Sequence, residues 1–97
     1  MNAKTHLEKA IALNPEFAEA YFELGMLLKE DGDIKESVKH LTKAVSINSD
    51  FAEAQCELAI ALTADGDHEN ARNHFLNSLE INPNYAHAYF NLSLIHI

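Results

Sequence analysis

The sequence predicts an all-α fold in which antiparallel helix pairs stack on one another, an α-solenoid of six helices. Residues 52–85 repeat residues 18–51, and 12 of the 34 aligned positions are identical. A third copy begins at Ala86, and residues 5–17 match the second half of the unit. Repetition at this period is typical of stacked arrays, in which each unit buries its apolar face against its neighbours.

The first two helices follow from apolar residues spaced three and four apart. Residues 3–13 form the first helix, with Leu7 and Ile11 on one face. An Asn-Pro pair ends it, because the residue before a proline is disfavoured in the α region. The proline, Pro15, then suits the first turn of the next helix, which is predicted over residues 16–30.

A short acidic turn joins the second helix to the third. Gly32 can adopt the left-handed conformation that ends a helix, and Asp33 can cap the helix predicted over residues 34–47. The same elements then recur, with helices predicted over residues 50–64, 68–81 and 84–96. Loops this short between helices of about 14 residues require antiparallel neighbours.

Small and apolar residues recur at fixed places in the units. They are Tyr21, Leu24, Gly25, Leu28, Ser37, Leu41 and Ala44, then Leu58, Ala59, Leu62, Ala71, Phe75, Ser78 and Pro83, with Tyr89 and Leu92 opening a third unit. Over essentially the whole chain this pattern resembles the tetratricopeptide repeat (TPR) family. Departures from the family pattern are Gln55 in place of an aromatic, Ser49 in place of proline and Ser93 in place of glycine or alanine.

The resemblance implies a right-handed superhelix with an unpaired helix at each end. Residues 1–15 form a half repeat with the second helix only, and residues 18–51 and 52–85 form complete repeats. Residues 86–97 form a truncated half repeat with the first helix only. This division predicts a binding or assembly scaffold.

Charge and composition limit the classes of partner. The net charge is −8. Residues 1–43 contribute −2, from eight acids and six lysines, and residues 44–97 contribute −6, from seven acids and Arg72. This potential repels nucleic acid, so a basic or neutral protein fits better, although solubility alone explains the charge equally well.

Location and redox state are only weakly indicated by the sequence. The single cysteine excludes an internal disulfide framework and agrees with a reducing compartment. No apolar run approaches the ~18 residues of a membrane span, and the first 15 residues do not resemble a signal peptide. A cytoplasmic location is favoured.

No catalytic, cofactor-binding or metal-binding motif is present, and the protein is predicted not to be an enzyme. The two Asp-Gly-Asp turns lack the ligand spacing of a calcium loop. His6, His40 and His74 recur at one place in the second helices of three successive units, but helices one repeat apart lie ~10 Å apart, too far for one ion. Cys56, beside two glutamates, is predicted to be unreactive.

In the TPR family the first helices of the repeats line a concave groove, and the resemblance implies such a groove here. Its side chains would form an apolar floor with an acidic edge, suited to an extended or helical peptide with apolar and basic residues. A clamp for a C-terminal carboxylate is not expected, because only Asn91 suits one; the alternative is that the glutamates simply form a solvated surface. The predicted groove residues are Glu19, Phe22, Glu23, Met26, Lys29, Glu53, Cys56, Glu57, Ile60, His87, Phe90, Asn91 and Leu94.

The two unpaired helices predict a second function, self-association. Apolar side chains should be exposed at the first helix and at the last, and contiguous patches of this kind favour association into homo-oligomers. Fraying of the ends, or an origin as a fragment of a longer TPR array in a regulatory protein or enzyme, are the alternatives. The predicted self-association residues are Leu7, Ile11, Tyr89, Leu92 and Ile95.

Overall fold

The computed structural model describes residues 2–94, which form six α-helices and no strand. The helices are α1 (Ala3–Leu13), α2 (Ala18–Glu30), α3 (Ile34–Ile47), α4 (Ala52–Ala64), α5 (His68–Ile81) and α6 (Ala86–Ser93). The predicted all-α solenoid is confirmed, as are the predicted bounds of α1, α3 and α5. Helices α2, α4 and α6 each begin two residues later than predicted, and the predicted end of α6 lies outside the described residues.

The late starts have a common cause in an asparagine turn before each of these helices. The Asn14 carbonyl accepts a hydrogen bond from the Phe17 N–H at 3.1 Å, and equivalent bonds at Asn48 and Asn82 measure 3.2 and 3.1 Å. The asparagine side chain also accepts a bond from the backbone two residues on, as asparagine commonly does in turns. Pro15 therefore lies in this turn, and its predicted place in the first turn of α2 is wrong.

Glycine ends α2 and α4, as predicted. Gly32 and Gly66 have φ values of +83° and +87°, which only glycine adopts readily. The following N–H groups bond back into the helix, as from Asp33 to the Leu28 carbonyl at 2.8 Å. Asp67 caps α5 by accepting a side-chain bond from the Asn70 N–H at 3.3 Å. Asp33 occupies the predicted N-cap position of α3, but its side chain makes no capping bond there.

The helices pack as two antiparallel pairs, α2 with α3 and α4 with α5, with α4 resting on α3 and α6 on α5. Helix α1 packs on α2, and α2, α4 and α6 lie side by side. The molecule measures 40 × 25 × 18 Å. This arrangement places one face of α2, α4 and α6 on a common surface, with α3 and α5 behind it.

Small side chains allow the helices of a pair to approach closely. The Ser37 hydroxyl donates to the Gly25 carbonyl at 2.7 Å, and the Ser78 hydroxyl donates to the Ala52 carbonyl at 2.9 Å. A Cβ added at Gly25 would lie 2.7 Å from Cγ of the buried Leu41. The hydroxyls satisfy carbonyls that already bond within their helix, so they tie the pair together without leaving buried polar atoms unpaired.

Candidate functional site

The common face of α2, α4 and α6 carries a polar ladder formed by Lys29, Glu57 and His87, one side chain from each helix. Lys29 Nζ donates to Glu57 Oε1, and Glu57 Oε2 lies 3.8 Å from His87 Nε2. The repeat places these helices in register, so that residues 28 and 30 positions apart in sequence meet across the surface. The ion pair therefore links α2 to α4, and His87 of α6 lies beside it, where it adds an ionic contact only when it is protonated.

Glu57 differs from its predicted role as a free carboxylate. Its side chain is 12% exposed and that of Lys29 is 21% exposed, so the two form a largely buried ion pair. A partly buried pair holds its partners more firmly than a solvated one, since water and salt screen it less. Glu19, Glu23 and the Glu53 side chain are exposed and provide the accessible acidic edge.

Two predicted groove residues are not accessible at the surface. Phe22 is buried, with its ring 4.9 Å from the ring of Phe51, and Cys56 is completely buried. The predicted place of these two side chains on an open groove surface is therefore wrong. The accessible apolar side chains on this face are the half-buried Met26 and Ile60 and, on α6, Phe90 and Leu94.

Burial controls the chemistry of Cys56. Desolvation, reinforced by the charge of Glu57, raises the pKa of the Cys56 thiol from 9.0 to about 12, although Lys29 and a hydrogen bond with Tyr85 oppose the rise. Burial also raises the pKa of Tyr85 to about 12, helped by Cys56 and the neighbouring glutamates. The thiol therefore stays protonated at neutral pH, where a reactive cysteine would be a thiolate.

Aromatic residues in the turns close the interface between successive first helices, and the sequence interpretation missed them. Phe51 precedes α4 and covers Phe22 of α2, while Tyr85 precedes α6 and packs against the core beside Cys56 of α4. Phe17 occupies the equivalent place before α2. The signal was available, because an aromatic residue recurs at 17, 51 and 85 with the period of the repeat.

A second missed feature joins the two departures from the repeat pattern in the second unit. Gln55 donates through Nε2 to the Ser49 carbonyl at 3.2 Å, and its Oε1 lies 2.7 Å from His74 Nδ1. Burial lowers the pKa of His74, with Asp67 partly opposing the shift. The equivalent position in the first unit holds Tyr21, whose ring packs beside His40 at 6.3 Å.

Two cavities lie beside the ladder rather than on it. A cavity of about 350 Å³ between α2 and α3 is lined by Tyr21, Lys39, His40, Thr42, Lys43 and Ser46, none of which was predicted to line the groove. A cleft of about 220 Å³ between α1 and α2 is lined by Leu7, Ala10, Phe17, Glu19, Ala20 and Glu23. The cleft therefore contains two of the exposed glutamates next to an apolar surface.

The predicted self-association residues fall into two groups. Tyr89 is exposed, whereas Leu7, Ile11 and Leu92 are half-buried. Leu92 packs against the core, which leaves less of it for contact with another molecule than predicted. Ile95 lies outside the described residues.

Residues 2–94 contain neither a cluster of metal-binding side chains nor a membrane-spanning helix. No three histidine, cysteine, aspartate or glutamate side chains in this range converge so that they could hold a metal ion. The same range contains no helix with both the length and the apolar character that crossing a membrane requires.

Sequence profiles described as tetratricopeptide repeat match the chain over residues 6–39 and over residues 23–86. No curated protein matches it at a significant level. Among solved structures the fold is similar to MamA, with a TM-score of 0.90 and 26% identity over 95% of this chain and 54% of that one. It is also similar to YrrB, described as a TPR protein with an unusual peptide-binding site, with a TM-score of 0.87 and 23% identity over 95% of this chain and 47% of that one.

An O-GlcNAc transferase mutant from Thermobaculum terrenum is a third similar structure, with a TM-score of 0.88 and 26% identity. The match covers 93% of this chain but 17% of the transferase. The chain thus spans about half the length of the MamA and YrrB chains and a small part of the transferase. The second profile covers well over half of the sequence, and the helices repeat as that profile requires. The chain therefore belongs to the tetratricopeptide repeat family, whose members are protein-binding scaffolds.

Proposed function

We propose that this protein binds an extended or helical segment of a partner protein across the face of α2, α4 and α6 and performs no catalysis of its own. The observation that carries the proposal is the polar ladder, which brings side chains of three helices together on one surface edged by exposed carboxylates. We place this activity in the cytoplasm, in agreement with the single reduced cysteine.

The chemistry of the face selects a basic, apolar partner. The exposed carboxylates of Glu19, Glu23 and Glu53 attract lysine and arginine, whereas the Lys29–Glu57 pair contributes no net charge. Half-buried Met26 and Ile60 offer apolar contact between these charges. An amphipathic segment with basic residues on one side and leucine-like residues on the other satisfies both requirements.

A designed amphipathic peptide of leucine and lysine provides the probe, and the leucine–glutamate peptide of the same length provides its counterpart. We expect the lysine peptide to bind in a fluorescence anisotropy titration and the glutamate peptide not to bind. Glu53→Lys should weaken binding of the lysine peptide by about tenfold, which corresponds to ~1.4 kcal/mol. Glu80→Lys is the matched control, since Glu80 is exposed on α5 and the change in net charge is the same.

Equal weakening by Glu53→Lys and Glu80→Lys would show that the probe responds to net charge alone and would reject the face as the binding site. Equal binding of the two peptides by the unchanged protein would reject the acidic edge. Asn91 and His87, which bond to each other on α6, provide polar contacts at the far end of this face.

Self-association is a second candidate function, and a specific observation favours it. Tyr89 and Phe90 of α6, and Leu94 at its C-terminal cap, are all more than half exposed. An apolar cluster of this kind, on a helix with no second helix beside it in the described residues, is typical of a surface that contacts another protein. Such a module could also act as part of a longer array in a regulatory protein or an enzyme.

A further inference from the structure

Helix α1 presents the same residues as the most deeply buried face of α3, but it presents them to solvent. Helix α2 lies along α3 and buries Leu41 and Ala44 completely. Shifted back by 34 residues, these positions are Leu7 and Ala10 of α1. Both are only half-buried, since α2 is the only described helix that α1 contacts. Among the described residues, the face of α1 that carries Leu7 and Ala10 therefore has no helix of the α2 type packed against it.

Helix α6 presents the complementary face. Phe90 is the equivalent of Phe22, but it is 64% exposed where Phe22 is 7% exposed. Phe22 is covered by Phe51, whose ring lies 4.9 Å away at the start of the next first helix. Phe17 is the equivalent of Phe51 and is itself exposed, at the edge of the cleft between α1 and α2. Over residues 2–94, both halves of this aromatic contact are therefore present and exposed, Phe17 beside α1 and Phe90 on α6.

We propose that two copies of the protein associate head to tail, with α6 of one copy lying in the α1–α2 cleft of the next and Phe90 packing on Phe17 of that copy. This inference rests on the self-association candidate above and specifies its geometry. Helix α6 and α1 of the second copy then form a helix pair equivalent to α2 and α3. We assign a second copy to the cleft because α6 of this protein carries Phe90 at the position equivalent to Phe22, the residue that packs on Phe51 within the molecule.

Charge and close packing are both compatible with this junction. The described part of α6 contains no aspartate, glutamate, lysine or arginine, so it does not repel Glu19 and Glu23 at the edge of the cleft. The tightest point brings Ser93 to Leu7, where the internal contact has Gly25 against Leu41. In the second repeat buried Ala59 has a Cβ at this place, but it faces Phe75 instead of a leucine. Ser93 fits at the junction if Leu7 shifts, and Leu7 is only half-buried whereas Leu41 is completely buried.

The geometry of the junction also fixes the kind of assembly. A head-to-tail contact joins two different faces, so each added copy leaves one free α1–α2 cleft and one free α6. The products are open chains that lengthen with concentration, whereas a symmetric contact would stop at a dimer. The surface formed by α2, α4 and α6 continues from one copy into the next.

Complementary variants test the proposal by sedimentation velocity. Phe17→Glu destroys the cleft face and leaves α6 unchanged, whereas Phe90→Glu destroys the α6 face and leaves the cleft unchanged. Each variant alone should lose at least about tenfold in association constant, because a buried aromatic contact is replaced by a desolvated charge. A 1:1 mixture retains one unmodified pair of faces and should form dimers that do not lengthen. Leu76→Glu is the control, because Leu76 is exposed on α5 away from both faces.

The outcomes separate the geometry from the candidate function. A wild-type protein that stays monomeric at high micromolar concentration overturns both. Association that survives Phe17→Glu, or a mixture that stays monomeric, overturns the head-to-tail contact while leaving self-association in place. The helix content of each variant, measured by circular dichroism, must match that of the wild type, so that loss of association is not loss of folding. A 1:1 mixture of Phe17→Ser and Phe90→Ser repeats the experiment with substitutions that introduce no charge.

Discussion

The effect of Gly25→Ala on stability should depend on the side chain at position 41. The substitution should destabilise the protein when Leu41 is present and stabilise it when residue 41 is alanine. The helix itself favours alanine over glycine by about 0.8–1 kcal/mol. Against this, the new Cβ would lie 2.7 Å from Leu41 Cγ and 3.0 Å from its Cδ2. Leu41 is completely buried and has little room to move, so overpacking should cost about 1–3 kcal/mol. The net expectation is a loss of about 1 kcal/mol in the free energy of unfolding.

Leu41→Ala removes both of the clashing atoms, and in that background the helix preference should dominate. Gly25→Ala should then stabilise the protein by about 1 kcal/mol, which makes the coupling between the two sites about 2 kcal/mol. Urea unfolding of the four proteins at low temperature measures this cycle. A Gly25→Ala variant that is stabilised in the wild-type background, or that changes equally in both, would refute the close approach of α2 and α3.

Three further predictions concern ionisable groups. Alkylation of Cys56 at pH 8 should be about a thousandfold slower in the folded than in the unfolded protein, from the rise in its pKa from 9.0 to about 12; equal rates would contradict the burial of the thiol. The Cys56 and Tyr85 side chains lose their protons at lower pH in the unfolded protein than in the folded one, so a rise in pH from about 9 to about 12 favours unfolding. The urea midpoint should therefore fall over this pH range, and it should fall less in Tyr85→Phe. The lowered pKa of His74 has the opposite sign, so stability should fall as the pH drops below 6.5, and His74→Gln should remove that part of the loss; an unchanged pH profile in this variant would refute it.

The repeat period predicted the number, type and pairing of the helices because these depend on local spacing. Apolar residues three and four apart, with glycine at two helix ends, are enough to define α3 and α5 to the residue. The starts of α2, α4 and α6 were missed by two residues. There the asparagine side chain and carbonyl organise a turn, and this hydrogen bonding competes with the helix signal of the following residues.

The candidate face was harder to predict because its character depends on contacts between repeats. Glu57 has the same sequence surroundings as Glu23, yet Lys29 neutralises the first and no equivalent lysine is paired with the second. Phe22 and Cys56 fall on the inward side of their helices by spacing alone. They are buried because the turn residues Phe51 and Tyr85, 29 positions later in each case, lie over them.

The departures from the family pattern show the same dependence. Gln55 and Ser49 look independent in the sequence, but in the structure one donates a hydrogen bond to the other's carbonyl. Gln55 also bonds to His74, so a polar side chain at this buried position has every partner that it needs. Comparing each residue with the family pattern separately does not show that Gln55, Ser49 and His74 depend on one another.

The aromatic contact between repeats has a consequence for how the molecule responds to strain. Helices α2 and α4 are each covered by an aromatic side chain from the next repeat, Phe51 and Tyr85, so the burial of a first helix depends on the residues that follow it as well as on its own sequence. Cooperativity in such a chain passes between neighbours, as in a one-dimensional lattice. Within residues 2–94, loosening would start at α6, where Phe90 is 64% exposed, and would reach α2 only after the Phe51 contact opened. A ligand or second copy that covered Phe90 would thus stabilise all of the repeats, because it would stabilise the helix that opens first.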